Sequence, residues 1–265
     1  MKNHWLGIHD HQNIVKNWFK VDNQYSWLRA FENLDCKTSA LLKIKKTERK
    51  EQAKNKKVRS IEYYFDNKSS INWLNKILKI NPTHILWNIC YYSEALPLII
   101  ELKKHNNKIF HCIRIHHEVS YLSQQDGFLD FLTNGDFLLT ATNEQLKLLK
   151  DYGYKQPIKV IPFGIDDKFF KNRISEKDID FISCCNKHPL RNFNFLKLQY
   201  LIMNLIGFKS KNITGISRLE LSHYLKRSKI FFLTSLTEAS GSRILLEAIT
   251  SGCMPVVFEE CKTAV

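Results

Sequence analysis

Short apolar runs alternate with amphipathic segments along most of the chain. The runs 84–90 and 179–183 have the length and composition of buried strands. The segments 71–80 and 193–205 show helical spacing of their apolar residues. Repeated alternation of strands and helices predicts an α/β protein with a parallel sheet and helices on both faces. Strands are predicted at 5–8, 38–44, 61–65, 84–90, 108–115, 137–142, 158–161, 179–183, near 213, 230–234 and 255–258, and helices at 25–34, 71–80, 93–104, 144–152, 193–205, 219–226 and 244–249.

These elements fall into two series, and the polar stretch 166–177 separates them. We therefore expect two doubly wound, Rossmann-like domains, residues 1–166 and 167–265, with a cleft between them. Ligands of such folds bind at the carboxyl ends of the strands. The second series has about four strands, and only residues 259–265 follow the last of them. The second domain is therefore predicted to be incomplete, being either small or truncated.

The composition indicates a packed protein in a reducing compartment. Hydrophobic residues make up 44% of the 265 residues, which is ample for a core. No apolar run reaches the roughly 18–20 residues of a membrane span, and the first residues lack the apolar stretch of a signal peptide. A cytoplasmic location is expected. The seven cysteines form no CxxC pair, so reduced, buried thiols are expected rather than disulfides or a metal site.

A net charge of +14 predicts an anionic partner, which could be nucleic acid, anionic lipid or a phosphorylated substrate. The densest basic run, 43–59, contains no aromatic residue that could stack on bases. It is either a solvated helix or loop, or a patch that faces a membrane. No nucleic-acid recognition module is readable, which argues against a nucleic-acid partner.

Candidate chemistry is concentrated in the last third of the chain. Glu238 and Glu247 bracket a turn of small residues, 239–242, just before a predicted helix. Small residues let an anion approach backbone N–H groups, and the helix dipole favours negative charge there. Carboxylates accept hydrogen bonds from sugar hydroxyls. The segment therefore fits a sugar that bears a diphosphate, and the alternative is ordinary helix capping by Ser240 or Ser242.

Five segments of the sequence occur in an order that a known family shares. They are GDFLLTAT (135–142), VIPFGID (160–166), SRLELSHYLKRSK (217–229), SLTEASGSRILLEA (235–248) and GCMPVV (252–257). In this order they resemble the corresponding segments of glycosyltransferase family 4. The resemblance implies a GT-B fold and a nucleotide-activated sugar as donor. It also implies that no metal or other cofactor is required.

The resemblance, which covers roughly residues 84–258, assigns roles to single residues. Glu247 matches the family glutamate that holds the ribose hydroxyls of the nucleotide, and Glu238 matches the one near the transferred sugar. Gly241, Ser242 and Arg243 match the positions that meet the diphosphate and the sugar. The spacing differs by one residue, because eight residues separate the two glutamates here and seven do so in the family.

Further candidates follow two other predicted strands. Lys187 or Arg191, after the strand 179–183, matches the family's cations for the diphosphate, and the alternative is a solvated turn. His116 and His117 follow the strand 108–115, where the family often has a histidine that faces the cleft. An imidazole there could hydrogen-bond the sugar or phosphate, and the alternative is a histidine on a surface loop. His117 is preferred because an acidic residue, Glu118, follows it as in the family.

The function expected from these residues is sugar transfer from a UDP- or GDP-linked donor to a glycan or lipid-linked acceptor. The resemblance implies retention of configuration. Paired carboxylates also occur in glycoside hydrolases, but a hydrolase does not need the phosphate-binding features beside them. The alternatives are a nucleotide-sugar epimerase on the same fold and an inactive, truncated transferase. Because of its charge, the protein is expected to bind the cytoplasmic face of an anionic membrane peripherally.

Overall fold

The computed structural model describes residues 3–10, 30–31, 33–43, 61–63, 70–89, 92–115, 119–124, 126–162, 164–165, 167–171, 176–185, 192–235, 242–258 and 261. The chain divides into two compact units, Met1–Ile161 and Pro162–Val265, which are called unit 1 and unit 2. Both are built on parallel sheets, so the structure confirms the predicted α/β class.

Unit 1 contains a seven-stranded sheet in the order β3-β2-β1-β4-β5-β6-β7. Its elements in chain order are β1 (His4–Asp10), β2 (Lys37–Lys43), β3 (Ile61–Tyr63), α1 (Ser70–Ile80), β4 (His84–Asn88), α2 (Tyr92–His105), β5 (Phe110–Arg114), α3 (Val119–Leu122), α4 (Phe128–Thr133), β6 (Phe137–Thr140), α5 (Asn143–Asp151) and β7 (Ile158–Val160). The order reverses between β1 and β4, as it does in doubly wound folds.

The centre of unit 1 is apolar on both faces of the sheet, as expected where helices cover a parallel sheet. Trp87 on β4 packs edge-on against Phe131, with 5.4 Å between ring centroids. Tyr92 on α2 packs against Phe128 at 4.8 Å. These aromatic contacts hold the short helix α4 against the core, and the sequence pattern did not predict that helix or α3.

One histidine lies inside this core. His111 on β5 is fully buried, and its Nδ1 accepts a hydrogen bond of 3.1 Å from Trp87 Nε1–H. The pKa of His111 is lowered to about 4, mainly by burial; Asp136 acts in the opposite direction, and Lys103 lowers the pKa by a smaller amount. The folded protein therefore favours the neutral imidazole.

Unit 1 is expected to lose stability in mild acid because of this residue. Unfolded chains protonate His111 below about pH 6.5, whereas the folded form stays neutral until about pH 4. The contribution of His111 to the free energy of unfolding is thus present above pH 6.5 and is lost as the pH falls. The expected loss between pH 7 and pH 5 is about 2 kcal/mol. Urea unfolding, followed by tryptophan fluorescence, measures the loss. All five tryptophans precede residue 162 and so report on unit 1.

His111→Asn is the matched control, because its side-chain oxygen can still accept from Trp87 while the titrating group is gone. The variant is expected to lose less stability than the wild type over the same pH range. Equal losses in the two proteins would contradict the prediction.

Unit 2 contains a four-stranded parallel sheet in the order β11-β10-β8-β9. Its elements are α6 (Asp167–Phe170), β8 (Ile179–Ser183), α7 (Phe193–Leu205), β9 (Ser210–Asn212), α8 (Arg218–Lys226), β10 (Ser228–Leu233), α9 (Arg243–Thr250) and β11 (Met254–Val257). The four strands match the predicted number. That this domain is incomplete stays a prediction.

Described residues of the stretch 166–177, which the sequence analysis interpreted as a polar connection, contribute to the core of unit 2. Phe170 on α6 is buried together with Phe231 and Leu225. The ammonium of Lys177 donates to the carbonyl oxygens of Ser228 and Gly252, at 2.7 and 2.6 Å. The lysine therefore ties together the start of β10 and the end of α9, which the sequence pattern did not reveal.

Two buried thiols, Cys112 and Cys253, stay protonated at neutral pH. Burial raises the pKa of Cys112 to about 12 and that of Cys253 to about 11. A thiol is a nucleophile or a metal ligand only as the thiolate. Neither residue is therefore poised for covalent catalysis at neutral pH.

Candidate functional site

The carboxyl edge of the sheet in unit 2 is where the predicted donor site begins. Strands β8 and β10 are parallel neighbours, so the chain leaves the same edge after each of them. The residues that follow the two strands are in contact, since the Thr234 hydroxyl after β10 lies 3.7 Å from the Cys185 sulfur after β8. Both residues are buried, and Ser235 is buried beside them.

Four of the predicted site residues lie just beyond these exits and outside the described residues. They are Lys187 and Arg191, which follow β8, and Glu238 and Gly241, which follow β10. Because β8 and β10 are parallel neighbours, the last described residues before both segments lie at one edge of the sheet. The roles of these four residues stay predictions.

Asn212, the last residue of β9, holds the backbone in place where β8 ends. Its side-chain oxygen accepts hydrogen bonds from the Ser183 hydroxyl at 2.7 Å and from the Cys185 N–H at 3.0 Å. Its side-chain nitrogen donates to the Cys185 carbonyl at 2.9 Å. The sequence analysis did not select Asn212, although a polar residue at the carboxyl end of a strand is a signal for this edge.

Ser242 begins helix α9 as its N-cap. Its hydroxyl oxygen accepts from the Leu245 N–H at 3.4 Å, and its carbonyl accepts from the Leu246 N–H at 3.2 Å. Capping was the alternative interpretation for this residue, and the structure shows it. The cap also places the positive end of the helix dipole at the carboxyl edge of the sheet.

Glu247 lies one turn further along α9 and is fully buried. Nη2 of Arg218 contacts its Oε1, and Nε of Arg243 lies 3.7 Å from the same oxygen. The Arg218 guanidinium also lies 5.6 Å from the ring centroid of Phe170. The structure therefore brings together Ser242, Arg243 and Glu247 from the predicted set and adds Arg218.

Neither carboxylate oxygen of Glu247 has a donor in hydrogen-bond geometry among the described residues. An unsatisfied buried acceptor costs about 1–3 kcal/mol, so a ligand hydroxyl that bonded to Oε2 would be favoured. Because Glu247 has no exposed surface, a neighbouring group must move before such a hydroxyl can reach it.

Arg218 was missed by the sequence analysis, yet the sequence carries a signal for it. Ser217 and Glu220 form a capping box, which makes Arg218 the first residue of α8. A cation at the positive end of a helix is unfavourable unless an anion compensates it. Arg243 occupies the same position in α9. An arginine at a helix start is thus a signal for a nearby acidic partner, and both arginines contact Glu247.

The candidates of unit 1 lie at the end of β5. His116 and His117 are outside the described residues, and their roles stay predictions. Among the described residues at this edge, Asn88, Arg114 and Thr140 end β4, β5 and β6 and are buried. A pocket lined by His4, Thr83 and Lys108, among others, lies at the opposite, amino-terminal edge of the sheet, where ligands of doubly wound folds do not bind.

Within the described ranges, no three His, Cys, Asp or Glu side chains are grouped so that they could hold a metal ion. Independence of a metal stays a prediction. None of the helices in the described part of the chain has both the length and the apolar character needed to cross a membrane.

Comparison with known proteins defines the fold as GT-B. The pneumococcal O-GlcNAc transferase GtfA, solved with UDP and GlcNAc, superposes with a TM-score of 0.73 over 97% of this chain and 84% of its own, at 8% identity. Anabaena Alr3699/HepE, solved with UDP and glucose, gives 0.67 over 96% and 80%, at 10% identity. The UDP-GlcNAc 2-epimerase of Methanocaldococcus jannaschii gives 0.61 over 96% and 83%, at 11% identity.

No protein-family model matches the sequence, and no curated protein matches it significantly. The structural likeness at such low identity confirms the predicted GT-B fold and goes no further. Membership of glycosyltransferase family 4 stays a prediction.

Proposed function

We propose that the protein transfers a sugar from a UDP- or GDP-linked donor to a glycan or lipid-linked acceptor. The observation that carries the proposal is the buried carboxylate of Glu247, one turn into a capped helix that follows the central strand β10. Structural neighbours solved with UDP and a sugar support it, since they share the fold.

Each candidate residue has a part in binding the donor. Glu247 accepts hydrogen bonds from the ribose hydroxyls through its oxygen that does not contact Arg218. Ser242 and Arg243 meet the diphosphate at the positive end of α9. Gly241 lets the phosphate approach the backbone, and Lys187 or Arg191 adds a compensating charge from the neighbouring strand exit.

The chemistry would depend on position and charge rather than on a covalent intermediate. The bond between the sugar carbon and the diphosphate oxygen breaks while the acceptor hydroxyl oxygen bonds that carbon from the same side, which retains the configuration. The hydroxyl proton passes to the departing diphosphate. The helix dipole and the cations stabilise the negative charge that develops on the diphosphate. Glu238 orients the transferred sugar, and His117 or His116 hydrogen-bonds the sugar or phosphate. No metal is needed for these roles.

A thermal-shift panel of UDP- and GDP-sugars tests the donor assignment. A ligand at 100 times its Kd stabilises the native state by about 2.7 kcal/mol. One nucleotide class is therefore expected to raise the Tm by several degrees, whereas the free sugars are not. If no nucleotide or nucleotide-sugar raised the Tm, the proposed donor site would be wrong.

Nucleotide-sugar epimerisation is the second candidate, because one structural neighbour is such an enzyme and fold alone does not fix function. Incubation with a nucleotide-sugar and no acceptor separates the two. Slow release of free nucleotide would support transfer, and an epimerised nucleotide-sugar would refute it. Binding without either product would support an inactive transferase.

A further inference from the structure

Helix α7 has apolar side chains on its solvent-facing side, where a surface helix normally has polar residues. Among its residues only Leu196 is fully buried. Leu198, Leu201, Ile202 and Leu205 are spaced by one, three and four residues and therefore lie on one side of the helix. That side is exposed to solvent rather than packed on the sheet.

The exposed surface continues past the end of the helix through Ile206 and Phe208. These six side chains, which we call the α7 apolar face, are between 44% and 76% exposed. Single exposed apolar residues need no explanation, but a contiguous group of this size marks an interaction surface.

The charged residues that lie near the α7 apolar face in the sequence are all positive. Residues 192–212 include Lys197, Lys209 and Lys211 and contain no Asp or Glu. All three lysines are exposed. The acidic residue Asp180, on the adjacent strand β8, is engaged by Lys229 and by the backbone N–H of Lys209.

We propose that the α7 apolar face docks on an anionic lipid surface. An amphipathic helix in a membrane interface inserts its apolar side among the acyl chains, while its lysines meet the headgroups. A second copy of the chain fits less well. In a two-fold contact the face would meet itself, which would place the lysines of both copies together with no acid from this segment to compensate them.

This inference does not rest on the proposed transferase activity. It also differs from the membrane contact expected from the basic run 43–59, which lies outside the described residues. The two surfaces can be separated by mutation.

Vesicle partitioning tests the proposal. The whole protein is titrated with phosphatidylcholine vesicles that contain about one-third phosphatidylserine and with pure phosphatidylcholine vesicles, at low and high salt. Leu201→Asn with Leu205→Asn is expected to weaken partitioning at least about 10-fold, because two inserted side chains are lost. The matched control, Leu34→Asn with Leu129→Asn, changes two exposed leucines of unit 1 and is expected to partition like the wild type.

The charge contribution has its own pair of variants. Lys197→Gln with Lys209→Gln is expected to weaken binding to the anionic vesicles about 10- to 30-fold, since each lysine near such a surface contributes about 1 kcal/mol. Lys147→Gln with Lys150→Gln, on exposed positions of α5, is expected to change it little. Circular dichroism checks that every variant is folded.

Three results would overturn the proposal. The first is equal partitioning of the wild type and the variant Leu201→Asn with Leu205→Asn. The second is equal binding of the wild type to neutral and anionic vesicles. The third is a wild-type protein that does not bind vesicles but sediments as a dimer, when the dimer is lost only in the variant Leu201→Asn with Leu205→Asn. Protection of the α7 peptides from hydrogen exchange by anionic vesicles would support it.

Discussion

Replacing Arg218 with methionine is expected to lower the free energy of unfolding of unit 2 by about 3–5 kcal/mol. The substitution leaves the fully buried carboxylate of Glu247 without the guanidinium that contacts it. Arg243 compensates only in part, because its Nε lies 3.7 Å away. Methionine replaces the arginine stem with an unbranched apolar chain, so the loss reports mainly the guanidinium, including its contact with the Phe170 ring.

Urea unfolding followed by circular dichroism, with hydrogen exchange on the α9 peptides, measures this effect. Tryptophan fluorescence follows unit 1 and is expected to be unchanged. Arg227→Met breaks the exposed pair with Asp178 and is expected to cost far less, since exposed ion pairs contribute little.

The double variant Arg218→Met with Glu247→Met separates the ion pair from the packing. Replacing both members of a buried pair by apolar residues is often neutral or stabilising. The double variant is therefore expected to recover most of the stability that the single variant loses. The prediction would be contradicted if the double variant were no more stable than Arg218→Met. It would also be contradicted if Arg218→Met lost no more stability than Arg227→Met.

Replacing Glu247 with alanine is expected to weaken binding of the nucleotide-sugar about 10- to 100-fold. A hydrogen bond to a charged group contributes about 1.5–3 kcal/mol, and the proposed role gives Glu247 such bonds with the ribose. Glu247→Gln keeps one acceptor oxygen and is expected to have an intermediate effect. Isothermal titration calorimetry with the nucleotide and with the nucleotide-sugar measures both variants.

Arg218→Met is the structural control for this experiment, because it breaks the same ion pair and keeps the carboxylate. At a temperature where unit 2 is folded, it is expected to bind the donor, since the carboxylate remains. Loss of binding in Arg218→Met equal to that in Glu247→Ala would assign Glu247 a purely structural role. Unchanged binding in Glu247→Ala would remove it from the donor site.

Much of the fold could be predicted from local pattern. The strand 179–183 and the helix 193–205 have the predicted bounds. A run of apolar residues or a helical spacing is a local property, so it indicates an element before any partner is known. The short helices α3, α4 and α6 were not predicted. They have four to six residues, too few to show periodicity, and tertiary contacts such as those of Phe128 and Phe170 stabilise them.

The candidate site was predictable in type but not in its contacts. The position of Glu247 after a strand and a small-residue turn can be read along the chain. Its pairing with Arg218 joins residues far apart in sequence, and only the packing of α8 against α9 makes them neighbours. The same is true of Asn212, whose bonds to Ser183 and Cys185 depend on β9 lying beside β8.

The sequence by itself determined the α/β class, the two series of elements and the candidate carboxylate on α9, because these depend on spacing along the chain. The tertiary structure alone decided that Glu247 is buried against Arg218, that Lys177 ties β10 to α9, and that the apolar side of α7 faces solvent. Burial and ion pairing depend on which elements pack together, and a helix of the same sequence could bury either side. Periodicity identifies the apolar face of α7, and only the packed sheet shows that this face is left uncovered.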